Sequence, residues 1–123
     1  EARAMIGEAY LYTRDYPRSI QYFENYPPRT DRAQKAYQTV TYFYGLELYE
    51  RPDFPKAAQY FNKAINNNVY PDMSLSSKYW LAETQFRQGD FARARNTFRD
   101  FLRTRNVNRN EFYAEAYYGP SGF

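Results

Sequence analysis

Apolar residues recur in steps of three and four through most of the chain. After Asp90 they fall at Phe91, Ala94, Phe98, Phe101 and Leu102. The same offsets after Asp53 give Phe54, Ala57, Phe61, Ala64 and Ile65. After Asp15 they give Tyr16, Ser19, Phe23 and Tyr26, and Pro27 then ends the segment. Such spacing lays one apolar stripe along each of three helices. Each Asp stands at the N-cap, where its carboxylate accepts orphan backbone N–H groups and faces the positive end of the helix dipole. Pro17 and Pro55 fall in the first turn, where a missing N–H costs nothing. A further helix precedes each Asp. In the middle of the chain it carries Val40, Tyr44 and Leu48 on one face, and later Tyr79, Trp80, Leu81 and Phe86. The connections Arg51-Pro52 and Gln88-Gly89 are so short that the helices they join must pack antiparallel.

The helix pairs repeat. Asp15-Tyr16, Asp53-Phe54 and Asp90-Phe91 are spaced by 38 and 37 residues, as are Phe23, Phe61 and Phe98. A small residue stands eight positions before each Asp, at Gly7, Gly45 and Ala82, and Gly119 continues the series. Several independent positions agree on one period, the mark of a repeat array. Polar, turn-rich segments separate the units: 27–31, 66–72 and 104–110. The expected organisation is a single domain over 1–123, with repeats at about 1–27, 33–66 and 74–103 and a partial helix over 111–118. That last helix is stopped by Gly119-Pro120-Ser121-Gly122, so the fourth repeat reads as truncated. An incomplete cap predicts an exposed apolar end and self-association through it.

Composition changes this picture in three places. Aromatic residues reach 21%, with 15 Tyr and 10 Phe, enough both to fill the space between helices and to form a recognition surface. Net charge is only +3, too little to imply a nucleic-acid partner. The series Arg93, Arg95, Arg99, Arg103, Arg105 and Arg109 therefore reads first as a solvated helix face, moderated by Asp100 and Glu111. Cys and His are both absent, which removes thiol chemistry, most zinc sites and the commonest general base. No acidic pair or metal motif replaces them, so neither catalysis nor a cofactor is expected. No apolar run approaches the roughly 20 residues that span a bilayer. The chain opens at Glu1 without Met, which reads as a mature form or an excised fragment of a larger protein.

These motifs resemble the tetratricopeptide repeat family over nearly the whole chain. The third repeat carries the likeness best, through Leu81-Ala82, Gly89-Asp90-Phe91, Ala94 and Phe98. The middle repeat carries it through Gly45, Asp53-Phe54, Ala57, Phe61 and Ala64, and the first through Gly7, Tyr10, Asp15-Tyr16 and Phe23. The period departs from the family's usual 34 residues, and Gln85 stands where the family favours Tyr. Long-period, Tyr-rich repeats are similar to those of bacterial cell-envelope proteins, a likeness that favours periplasm or envelope over cytoplasm while leaving localisation open. The resemblance implies an all-α, right-handed superhelix of antiparallel helix pairs: an α-solenoid of three repeats plus a truncated fourth.

It also implies a concave groove lined by the first helix of each repeat. The groove residues would be Glu8 and Tyr12, then Tyr42, Leu46 and Tyr49, then Tyr79, Glu83 and Arg87. Tyr42 and Tyr79 would lie side by side in adjacent repeats as a binding platform. The implied partner is a protein or peptide, with no nucleic acid. A chaperone-tail carboxylate clamp is disfavoured, because Glu8 and Glu83 stand where such a clamp needs neutral or basic groups. The alternative is a glycan- or peptidoglycan-binding module in which exposed aromatic rings stack on sugars. The arrangement of Tyr42, Tyr49, Tyr79 and Trp80 discriminates, since coplanar exposed rings favour sugar.

Overall fold

The computed structural model describes Gly7 and residues 14–118. The described residues form six α-helices: α1 (Tyr16–Asn25), α2 (Asp31–Glu50), α3 (Phe54–Asn66), α4 (Pro71–Arg87), α5 (Phe91–Leu102) and α6 (Tyr113–Tyr118). A 3-10 turn, Val107–Arg109, precedes α6, and no strand is present among the described residues. Each helix packs on its neighbour in sequence, and α2 also touches α4. Helices therefore stack in successive pairs, as in a tetratricopeptide-like α-solenoid.

The three caps are copies of one another. Asp15, Asp53 and Asp90 share φ of −87° or −88° and ψ of 70° or 72°. Each carboxylate accepts from the backbone N–H three residues on: Arg18 at 3.4 Å, Lys56 at 3.5 Å and Arg93 at 3.2 Å. Before two of them the chain closes the preceding helix with an N–H reaching five residues back, Asp53 to Leu48 O at 2.9 Å and Asp90 to Gln85 O at 3.0 Å. In the second of these turns Gly89 adopts a positive φ, 81°, whereas Pro52 holds the matching place in the first. Arg14 holds the matching place at φ 59° without a glycine's freedom.

Within each unit the small residue receives the phenylalanine sixteen positions on. A Cβ on Gly45 would lie 2.7 Å from the Phe61 ring, and the Phe23 ring closes on Gly7 in the same way. Phe23 and Phe61 are buried as a result, and Ala57, Phe61, Ala64 and Ala82 are wholly shielded from solvent. Burying a ring of this size contributes about 2–3 kcal/mol, so these contacts hold the pairs together.

Loops are fixed by two buried amides. Gln38, fully buried, accepts from the N–H groups of Val69 and Tyr70 and donates to Ala64 O, Tyr70 O and Ser74 Oγ. It thus ties the connection between α3 and α4 to α2. Asn110 does the same after α5, donating to Asp72 and Ser76 and accepting from Phe112 N–H. Such amides leave few buried polar groups unmatched.

Candidate partner-binding groove

The expected groove residues that fall among the described ones lie on α2 and α4, the first helices of two successive units. Glu8 and Tyr12 lie outside the described residues. Of the others, Leu46, Tyr49 and Glu83 are half-buried and Arg87 is exposed. The Arg87 Nε donates to the Tyr49 hydroxyl at 3.2 Å, joining the two helices across the repeat boundary. Tyr49 packs edge-on against Phe54 and Trp80, with ring centres 5.4 and 5.2 Å apart. Glu83 accepts from the Tyr79 hydroxyl at 3.2 Å. Burial raises the Glu83 carboxyl above the usual carboxylate range, against the pull of that hydrogen bond and of Arg87. Tyr49, Glu83 and Arg87 are thus linked, Arg87 to the Tyr49 hydroxyl and through its charge to Glu83.

Tyr42 and Tyr79 do not form the expected open platform. They are only 8% and 7% exposed. Phe112 stacks on Tyr79 at 4.6 Å with the rings nearly parallel, and Phe98 and Phe101 close the other sides. Tyr42 lies against Phe61 at 6.3 Å and its neighbour Phe43 at 5.6 Å. For Tyr79 the physical reason is the chain beyond α5. The 3-10 turn brings Phe112 back over α4, and a spacing argument confined to α2 and α4 carries no trace of that return.

Burial also shapes the chemistry of these phenols. Desolvation, then the carboxylate of Glu111, pushes the Tyr42 hydroxyl up to about 12. Desolvation and Glu83 raise Tyr79 further, with Glu115 adding to the effect. Asp72, Glu83, Glu111 and Glu115 thus surround the buried pair. A cavity of about 330 Å³, lined by Tyr42, Tyr70, Asp72, Met73, Ser76 and Glu111, opens beside it. Residues 70, 73 and 111 are not among the expected groove residues, because each precedes or opens a helix and falls off the helical spacing.

Elsewhere, Arg93, Arg95, Arg99, Arg103, Arg105 and Arg109 are all exposed, and Arg93 pairs with Asp90 at 3.4 Å. At the C-terminal end, Phe112, Tyr113 and Ala116 pack onto the core of the third unit. Exposure there belongs instead to Tyr117 and Tyr118, at 61% and 82%. Among the described residues, no helix is long and apolar enough to cross a membrane.

A stack of successive antiparallel helix pairs is the architecture of a helical repeat protein. Residues 76–104 match the family model described as a tetratricopeptide repeat, covering most of α4 and all of α5. The match supports a protein-interaction module. No curated protein and no solved structure matches the chain.

Proposed function

We infer that this chain holds a segment of a protein partner along the face of α2 and α4 marked by Leu46, Tyr49, Glu83 and Arg87. The observation that carries this reading is the Arg87–Tyr49 hydrogen bond. It places an exposed guanidinium and a half-buried ring in one fixed frame spanning two repeats. Rigid aromatic and arginine groups of this kind dominate binding energy at protein interfaces. Glu8 and Tyr12 belong to the same proposed surface. The long repeat period and tyrosine content support a bacterial cell-envelope setting.

The ring arrangement favours peptide over sugar. A sugar platform needs rings side by side in one plane. Here Tyr49 and Trp80 are inclined at 67° and Tyr79 and Trp80 at 84°. Their edges meet, and their faces are spent on one another.

Selection from a displayed library of random peptides tests the proposal. Enriched peptides are expected to lose about tenfold or more in affinity for a Tyr49→Phe, Arg87→Ala variant, the scale of one anchor's loss. They are expected to bind an Arg95→Glu control unchanged. Both variants should keep the parent melting temperature, since Arg87 and Arg95 are exposed and Tyr49→Phe removes only a hydroxyl. Full binding by the double variant would move the working surface off α2 and α4.

A further inference from the structure

The cavity beside Tyr42 has an uneven chemistry. Two of its six lining residues are carboxylates, Asp72 and Glu111, and none is a cation. Neither carboxylate forms an ion pair with a described residue. Asp72 Oδ1 accepts from the neutral amide of Asn110 at 2.9 Å, which orients the group; its place in the first turn of α4 sets it against the positive end of the helix dipole, with no cationic side chain paired to it. Glu111 is exposed at the mouth. Tyr42, 8% exposed, and the buried Ser76 add hydroxyls at the base. Met73 and Tyr70 supply apolar wall, and Tyr70 is 42% exposed. The Tyr70 ring already carries a cation of this chain, Lys35 Nζ, at 5.3 Å from its centre.

We propose that this cavity receives a lysine or arginine side chain from the bound protein segment. The proposal rests on the groove reading above and names the chemistry of its ligand. A basic side chain has an aliphatic stem and a charged tip. The wall of Met73 and Tyr70 suits the stem. The tip finds two carboxylates that pair with no cation of the described residues, as acceptors of charge-assisted hydrogen bonds. An acidic segment would meet Asp72 and Glu111 as repulsion, with Glu83 and Glu115 further along α4 and α6. The exposed arginines of α5 would repel a basic segment from their own face. Charge complementarity thus selects both the ligand and the side on which it docks.

Trp80 is the one tryptophan of the chain, and it packs between Tyr49, Tyr79 and Phe112. Its emission therefore reports on this face alone. The test uses the whole chain with two dye-labelled peptides, one of alternating lysine and glycine, the other of alternating glutamate and glycine. The lysine peptide is expected to bind, to change Trp80 emission, and to weaken about fivefold on Glu111→Gln, the scale of one exposed ion pair. Asp100→Asn, an equal change of net charge on α5, should leave binding unaltered. Equal weakening by both variants would reduce the effect to overall charge and overturn the site. Absence of lysine-peptide binding would also overturn it. If library-selected peptides still shift Trp80 emission in that case, the groove stands and only the basic preference falls.

Discussion

At the residue scale, the most instructive side chains are the two tyrosines that the repeat spacing sets in register. Their places on α2 and α4 are legible in the sequence, because a period of 37 residues assigns Tyr42 and Tyr79 to matching positions of successive first helices. The burial of Tyr79 is not, because it depends on Phe112, which arrives from beyond the third unit, while Tyr42 is covered from within its own unit by Phe61 and Phe43. Gln38 and Asn110 are illegible for a related reason. A lone buried amide has no periodic signature, and its role is visible only once the loop it anchors is in place. Burial also makes a prediction about pH. The Tyr42 phenol is raised from an ordinary value near 10 to about 12. An unfolded chain therefore releases this proton at lower pH than the folded one. Stability from the neutral phenol is complete below pH 10 and drains away as pH climbs towards 12. Urea midpoints measured from pH 8 to 11.5 should fall steeply above pH 10, and Tyr42→Phe should flatten part of that fall. An unchanged slope in the variant would mean that Tyr42 titrates as though in water.

At the element scale, the helix starts are the most legible feature. Asp15, Asp53 and Asp90 are each expected as N-caps, and each makes the capping hydrogen bond in the same backbone conformation. The small-residue positions are legible as a series, and the Phe61 ring against Gly45 explains why the middle one carries no side chain. The start of α4 is less legible. Pro71 and Asp72 read as loop residues, yet proline's fixed φ suits the first helical turn and the helix begins there. The turn before α5 makes the second prediction. Gly89 has φ 81°, and a Cβ there would meet nothing within 4 Å. The cost of Gly89→Ala is therefore purely that of the left-handed backbone, about 1 kcal/mol. Arg14→Gly removes the same strain at the matching turn and should stabilise by several tenths of a kcal/mol, the gain being offset in part by glycine's greater freedom when unfolded. Thermal melts of the two variants should move in opposite directions. A stabilising Gly89→Ala would show that the turn relaxes out of the left-handed region.

At the scale of the whole molecule, the repeat period and the alternation of helices are enough to specify the architecture. Helix pairs with short connections have few ways to bury their apolar stripes, and stacking is the one that repeats indefinitely. The surface is harder to read, because a first-helix position faces solvent or protein according to which later segment packs over it. The outcome is a molecule whose faces differ in charge. Carboxylates gather around Tyr42 and Tyr79, and arginines lie along α5. That asymmetry makes the location of binding the central claim. It is tested most directly by backbone amide NMR of the chain titrated with a library-selected peptide. Shifts are predicted at Tyr49, Trp80, Glu83 and Arg87, and at Tyr70 and Glu111 when the peptide is basic, with Arg95, Arg99 and Arg103 unmoved. Shifts confined to the arginine face of α5 would contradict the account.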